Sequence, residues 1–177
     1  MAVTTEIAPN IYRISIFAQS GNLQFNHFLV KDDEPLLFHT GLRGMHLEIR
    51  EAVSKLINLS ELRHISFSHF ESDECGSLNE WLAAAPKADV ICSQVGALVC
   101  VNDFIGRESR ALTDGGTFVT GKYRFRYCRT PICPTAGTLA SSLKKRREHC
   151  SVRTCSIRTG TSNRSALPMS WAARIRR

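Results

Sequence analysis

Apolar and polar positions alternate over the first forty residues. In NIYRISIF (10–17) and QFNHFLVKDDEPLLFHTG (24–41), β-branched and aromatic residues recur with the period of a strand, and the polar run KDDEP splits the second stretch into a hairpin. Its second limb ends at the glycine-rich bend HTGLRG. The period then changes. In HLEIREAVSKLINL (46–59), Leu47, Ile49, Val53, Leu56 and Ile57 fall at spacings that predict one face of a helix. LRHISFSH predicts a short apolar strand ending at His69, SLNEWLAAAP a second helix, KADVICS a buried strand and QVGALVCVNDFIG a third helix. RALTDGGTFVTGKYRFRYCRTP predicts a hairpin, with turns at Asp114-Gly115-Gly116 and Thr120-Gly121-Lys122.

Strands followed by alternating strand and helix imply an α/β sandwich with its loops gathered at one edge of the sheet. Functional side chains are then expected at the carboxyl ends of strands, where His69 stands. This order stops at Pro131. The remainder, 132–177, shows no sustained apolar period and is rich in Ser, Thr and Arg, so it is expected to be an unstructured basic tail on a folded part, 1–131.

Charge sharpens that boundary. The formal net charge is +7, but residues 1–131 hold 13 Lys and Arg against 15 Asp and Glu, while residues 132–177 hold 10 against one. The basicity belongs to the tail. KKRR at Lys144 to Arg147 is the kind of run that gives salt-dependent binding to nucleic acid. Aromatic residues for base stacking do not accompany it, since Trp171 stands alone, so nucleic acid is not the expected partner. The first ten residues lack a basic, then apolar, leader, and no apolar run reaches the ~18 residues of a membrane span. Seven Cys with no CxxC pair do not read as a disulfide framework, which suits a reducing cytoplasm. Cys92 and Cys100 read as small buried hydrophobes.

The densest chemistry lies in SHFESDECGSLNEW, 68–81. If the backbone stays extended, His69, Glu71 and Asp73 point in a common direction and can converge on one or two metal ions. An imidazole with several carboxylates suits iron or manganese better than the His-rich sites of zinc hydrolases. The plainer reading is a solvated loop in which Asp73 or Ser77 caps the next helix and Glu74 complements its dipole. Cys75 beside these carboxylates is expected to be a poor thiolate and hence structural.

The succession of strands, FHTGLRG, helix, ISFSHFESDECG and helix resembles the metallo-β-lactamase fold, and the resemblance runs from Ile11 to about Pro131. In that superfamily the first ligand motif is usually His-x-His-x-Asp-His. Glu71 at the second position is similar to the flavodiiron proteins and to the stand-alone oxygen-binding di-iron proteins. The fold implied is a partial αββα sandwich. The resemblance implies that His69 and Glu71 bind one iron and Asp73 the other, with Glu74, where many relatives have His, as a possible ligand or a residue supporting one. It implies dioxygen or nitric oxide as the ligand. No flavodoxin domain is present, so an external electron donor, or a sensing role, is implied. His39 stands where many relatives have Asp, and reads as a packing residue or one that supports a ligand from behind. A metal-dependent hydrolase, with zinc or manganese, is the alternative within the same fold.

The family pattern also demands a later His, a bridging Asp and a last His. After His69 this chain has only His149, and it has no Asp beyond Asp114. A shift of one base accounts for the loss. Codons permitted for residues 132–140 then read HLPHGWDAG, and those for 141–158 read VLFEETERTLLGADLFHQ. These strings restore a His at the position of Thr135 and an Asp at that of Thr154, in the order and spacing of the family's second and third ligand motifs. The expectation is a frameshift near Pro131, an incomplete metal site with little activity, and a poorly soluble product with an open sheet edge.

Overall fold

The computed structural model describes residues 1–128 in full, together with the backbone of Ser156–Thr159 and Leu167–Pro168. Among these residues the strands are β1 (Val3–Ala8), β2 (Ile11–Ala18), β3 (Leu23–Val30), β4 (Leu36–Phe38), β5 (His64–Ser66), β6 (Asp89–Ser93) and β7 (Arg110–Leu112), followed by β8 (Thr117–Val119) and β9 (Tyr123–Arg126). The first seven form one sheet in sequence order. Pairing is antiparallel from β1 to β4 and parallel from β4 to β7. The helices are α1 (His46–Ser54), the short α2 (Ser72–Cys75), α3 (Leu78–Ala84), α4 (Gln94–Gly96) and α5 (Asn102–Ile105), the last two joined by a π-helical turn, Ala97–Val101.

Side chains alternate across the large sheet, and both of its faces are covered. Ile14, Ile16, Leu29, Leu37, Ile65 and Val90 pack with Ile49 and Val53 of α1 and with Leu78 and Trp81 of α3. Ile11, Phe28, Val30, Leu36 and Ile91 face the opposite way, onto Phe118, Tyr123 and Phe125 of the β8–β9 hairpin. Helices, sheet and second sheet therefore form three successive layers, the αββ part of an αββα sandwich. Asp32 fastens the hairpin to the β3–β4 turn: its Oδ2 accepts from Thr120 Oγ1 (2.9 Å), Lys122 N (2.8 Å) and Tyr123 N (3.1 Å). Glu34 N donates to Thr120 O, and Tyr123 Oη donates to Pro9 O.

Several expectations need correction. β1, missing from the sequence reading, pairs along β2 with its residues mostly exposed, so it lacks the apolar face that would mark it. Asp114-Gly115-Gly116 does not close a hairpin. β7 pairs in parallel with β6, and the turn carries the chain across to the second sheet, where Gly115 and Gly116 bond with Tyr127. Leu47 is 74% exposed, and Ala52 takes a buried place on α1 instead. Cys92 is buried as expected, but Cys100 is only half-buried. The tail lies largely outside the described residues. Two short pieces within it, β10 (Ser156–Thr159) and β11 (Leu167–Pro168), are extended, and β10 pairs with the open edge of β9. No helix among the described residues is long and apolar enough to cross a membrane.

Candidate metal centre

β4 and β5 run parallel with Phe38 opposite Ser66, so their carboxyl ends open at the same edge and the two following segments leave side by side. Hydrogen bonds stitch those segments together. His39 N donates to Ser66 O (2.8 Å), Thr40 N to Glu74 O (2.7 Å), Ser77 N to Gly41 O (2.9 Å) and Ser77 Oγ to Thr40 O (2.7 Å). Ser77 is thus committed to the HTG bend. It precedes α3 but makes no side-chain cap there, contrary to the solvated-loop reading. The bend itself demands left-handed backbone, with φ of +66° at His39 and +83° at Gly41. A Cβ on Gly41 would lie 2.6 Å from Ile49 Cδ1 and 2.7 Å from His27 Cε1, so only glycine fits.

The loop after β5 bends through 68–70 and turns helical at Ser72. The extended alternation expected to align His69, Glu71 and Asp73 is therefore absent, and Asp73 sits in the first turn of α2. The organising side chain is Glu74, 2% exposed. Both of its carboxylate oxygens lie 2.7 Å from Ser68 Oγ, and Oε2 accepts from His69 N at 2.5 Å. His39 Nε2 approaches Oε2 to 3.5 Å from the buried side. His69 Nδ1 is 3.1 Å from Ser68 Oγ and 3.6 Å from Glu74 Oε1, so the hydroxyl is the direct partner of the ring.

These contacts set the proton affinities. Burial alone would raise Glu74, but hydrogen bonding with His69, the neighbouring His39 and the Ser68 hydroxyl outweigh it and hold the carboxyl below its ordinary value. The same carboxylate raises His69 against the opposing effect of burial, with help from Glu71 and Asp73. Burial raises Asp73, and Glu74 and Glu71 push it further up. Burial lowers His39 despite Glu74 beside it. Cys75 is pushed up to about 12, by burial first and by Glu74 second, which leaves it an inert thiol as expected.

Glu74 directs its carboxylate to Ser68, His69 and His39. His39 packs on Phe38, with ring centroids 4.4 Å apart, and its Nε2 stands 3.5 Å from Glu74 Oε2. His69 is 40% exposed at the loop surface, and its Nε2 makes no hydrogen bond among the described residues. Among those residues no three His, Cys, Asp or Glu side chains stand close enough to hold a metal ion as they are. His69, Glu71 and Asp73 nevertheless sense one another electrostatically, and one imidazole with two carboxylates is a donor set that suits iron.

Sequence reasoning left Glu74 open between a ligand and a residue behind one, and missed two neighbours, Ser68 and His27. The last is fully buried on β3, with neither ring nitrogen hydrogen-bonded.

A parallel-edged sheet covered by helices on one face and a second sheet on the other, with an acidic His loop at the carboxyl end of β5, defines the metallo-β-lactamase fold class. Comparison narrows it. The model of the ODP family beta lactamase matches residues 23–138, and the chain belongs to that family. It is similar to diflavin flavoprotein A 2 of Nostoc sp., 27% identical over an alignment of 103 residues, with coverage of 52% of this chain and 18% of that protein. A point mutant of the flavo di-iron protein from Thermotoga maritima superposes with a TM-score of 0.64 at 26% identity, covering 74% of this chain and 36% of that one. A metallo-β-lactamase from Cronobacter sakazakii shares the fold at 17% identity, with a TM-score of 0.58 and coverage of 71% of this chain and 48% of that one. This chain thus spans less than a fifth of the curated relative and about a third of the di-iron protein.

Proposed function

We propose that the chain carries the first half of a non-haem di-iron centre that binds or reduces dioxygen or nitric oxide, using electrons from an external donor. The observation that supports this most is the His69-Phe70-Glu71-Ser72-Asp73 loop at the carboxyl end of β5, locked from beneath by buried Glu74, in a member of this family. His69 and Glu71 are the donors to one iron and Asp73 the donor to the other. Iron, when bound, supplies the site for the diatomic molecule and the electrons it takes up. The related di-iron protein is named for iron, which favours iron over zinc or manganese in this reading. Seven cysteines with no CxxC pair favour a reducing compartment such as the cytoplasm.

We further propose that residues 132–177 are read out of frame, so that the centre in this chain is incomplete. The charge jump and the loss of Asp after Asp114 support this. The experiment is ferrous-iron binding by the full chain, purified anaerobically, beside His69→Ala and Asp73→Ala. Weak binding that either substitution removes is expected. Iron binding indifferent to both substitutions sinks the assignment. Resequencing the gene across the codons for Cys128 to Thr135 tests the frameshift directly: an unaltered frame refutes it.

A further inference from the structure

His69 can bind a metal through Nε2 only if its neutral ring carries its one proton on Nδ1. The contacts around Ser68 decide which nitrogen that is. The Ser68 hydroxyl has a single proton. Its oxygen lies 2.7 Å from both carboxylate oxygens of Glu74, which is buried and, being ionised, can only accept. The hydroxyl proton therefore points to Glu74. With that proton committed, Ser68 Oγ can act toward His69 Nδ1, 3.1 Å away, only as an acceptor. Nδ1 must then be the protonated nitrogen, and Nε2 is left with its lone pair. Glu74 holds the other side of the same residue too, since Oε2 accepts from His69 N at 2.5 Å. His39 Nε2 lies 3.5 Å from the same carboxylate without a hydrogen bond.

We infer that Ser68 and Glu74 form a positioning pair that fixes His69 in the Nδ1–H tautomer, with Nε2 turned outward as the donor nitrogen. This rests on the reading of His69 as a ligand, and it gives Glu74 a task that neither a ligand role nor a helix-dipole role describes. A carboxylate acting on a ligating imidazole is a common supporting arrangement at metal sites, and here a serine hydroxyl relays it. The two segments that meet are the bend after β4 and the loop after β5, so the device depends on their parallel pairing.

The test uses the full 177-residue chain, labelled with ¹⁵N and free of metal, at pH about 9, above the ordinary imidazole range. Long-range proton–nitrogen correlation spectra report which ring nitrogen of His69 is protonated. The wild-type chain is expected to show Nδ1–H. Ser68→Ala is expected to move the ring toward Nε2–H with the backbone amide spectrum elsewhere unchanged, and Ser68→Thr, which keeps the hydroxyl, to restore Nδ1–H. Ferrous-iron affinity should fall about 10- to 100-fold in Ser68→Ala and recover in Ser68→Thr. A wild-type ring in the Nε2–H form overturns the inference, as does a Ser68→Ala ring that keeps Nδ1–H. A tautomer change with unaltered iron affinity overturns the positioning role. If the tautomers behave as expected while His69→Ala binds iron like wild type, the inferred ring control stands and the ligand assignment fails.

Discussion

His27 makes this fold sensitive to mild acid. It lies on β3 opposite Ile14, is fully buried, and has no hydrogen bond on either ring nitrogen. Burial, and then the neighbouring His39, lower it from 6.5 to about 4. The unfolded chain takes up a proton at this residue as pH falls through 6.5, whereas the folded chain resists until about 4. The unfolded state therefore binds more protons throughout that window, and stability must rise with pH across it. The contribution is complete above the unfolded value and is lost progressively down to the folded one. A displacement from 6.5 to about 4 amounts to about 3 kcal/mol at the acid end, a large part of the stability of a domain this size. His27→Leu removes the titrating ring and two unpartnered nitrogens while keeping an apolar side chain of similar volume. At neutral pH it should leave stability unchanged or raise it by up to about 1 kcal/mol. Between pH about 6.5 and 4.5 it should flatten the dependence by close to one proton. Urea unfolding at a series of pH values, followed through the buried Trp81, gives both quantities. His39 and His46 are also lowered by burial and remain in the variant, so the difference between the two proteins reports His27 together with its coupling to His39. Parallel curves for wild type and His27→Leu would refute the reasoning.

Asp32→Ala removes three hydrogen bonds to the β8–β9 hairpin and, on a half-exposed group, should cost about 1–2 kcal/mol and speed hydrogen exchange at the Lys122 and Tyr123 amides. Burial raises Asp32, but the bonds from Thr120, Tyr123, Asp33 and Lys122 outweigh it and leave it lowered, so its contribution holds above the ordinary carboxylate range and fades in acid. Gly41→Ala meets Ile49 and His27 at a backbone φ of +83° and should cost more than about 2 kcal/mol, seen as a lower urea midpoint or loss of soluble protein. Val95, Leu98 and Val99 are 65%, 83% and 67% exposed at helical spacing, so Leu98→Lys should reduce association on gel filtration. A wild-type chain that already runs as a stable monomer removes that premise.

The elements most legible in the sequence were those whose periodicity is local. The β2–β3 alternation and the Ile49–Val53 stripe of α1 could be read because each residue's burial follows from the element it sits in. The turn at Asp114-Gly115-Gly116 could not. Its residues suit a hairpin and a crossover equally, and what decides is the pairing of β7 with β6, some twenty residues earlier. The same limit left the role of Glu74 open. Read along the chain it is one of several acids in a loop, suited to a helix start, whereas in space its carboxylate faces His39, which arrives from another strand. His27 was hidden for the opposite reason: on an apolar strand, one imidazole does not disturb the pattern.

The acidic loop shows why spacing found the donors but not the way they are presented. An extended His-x-Glu-x-Asp would align its side chains by strand geometry alone, yet the chain bends at Ser68 and enters α2 at Ser72. Alignment is supplied instead by one buried carboxylate, which accepts from the His69 backbone, meets the Ser68 hydroxyl and is backed by His39. Taking such a group out of water is costly unless its oxygens are satisfied, and here each partner that satisfies it also restrains the donor loop. The cost of burying Glu74 and the placement of His69 are thus one interaction, and it lies wholly within residues 39–77. If residues 132–177 are indeed out of frame, the device would survive their loss, and His69 should stay oriented in a chain whose remaining iron donors are gone.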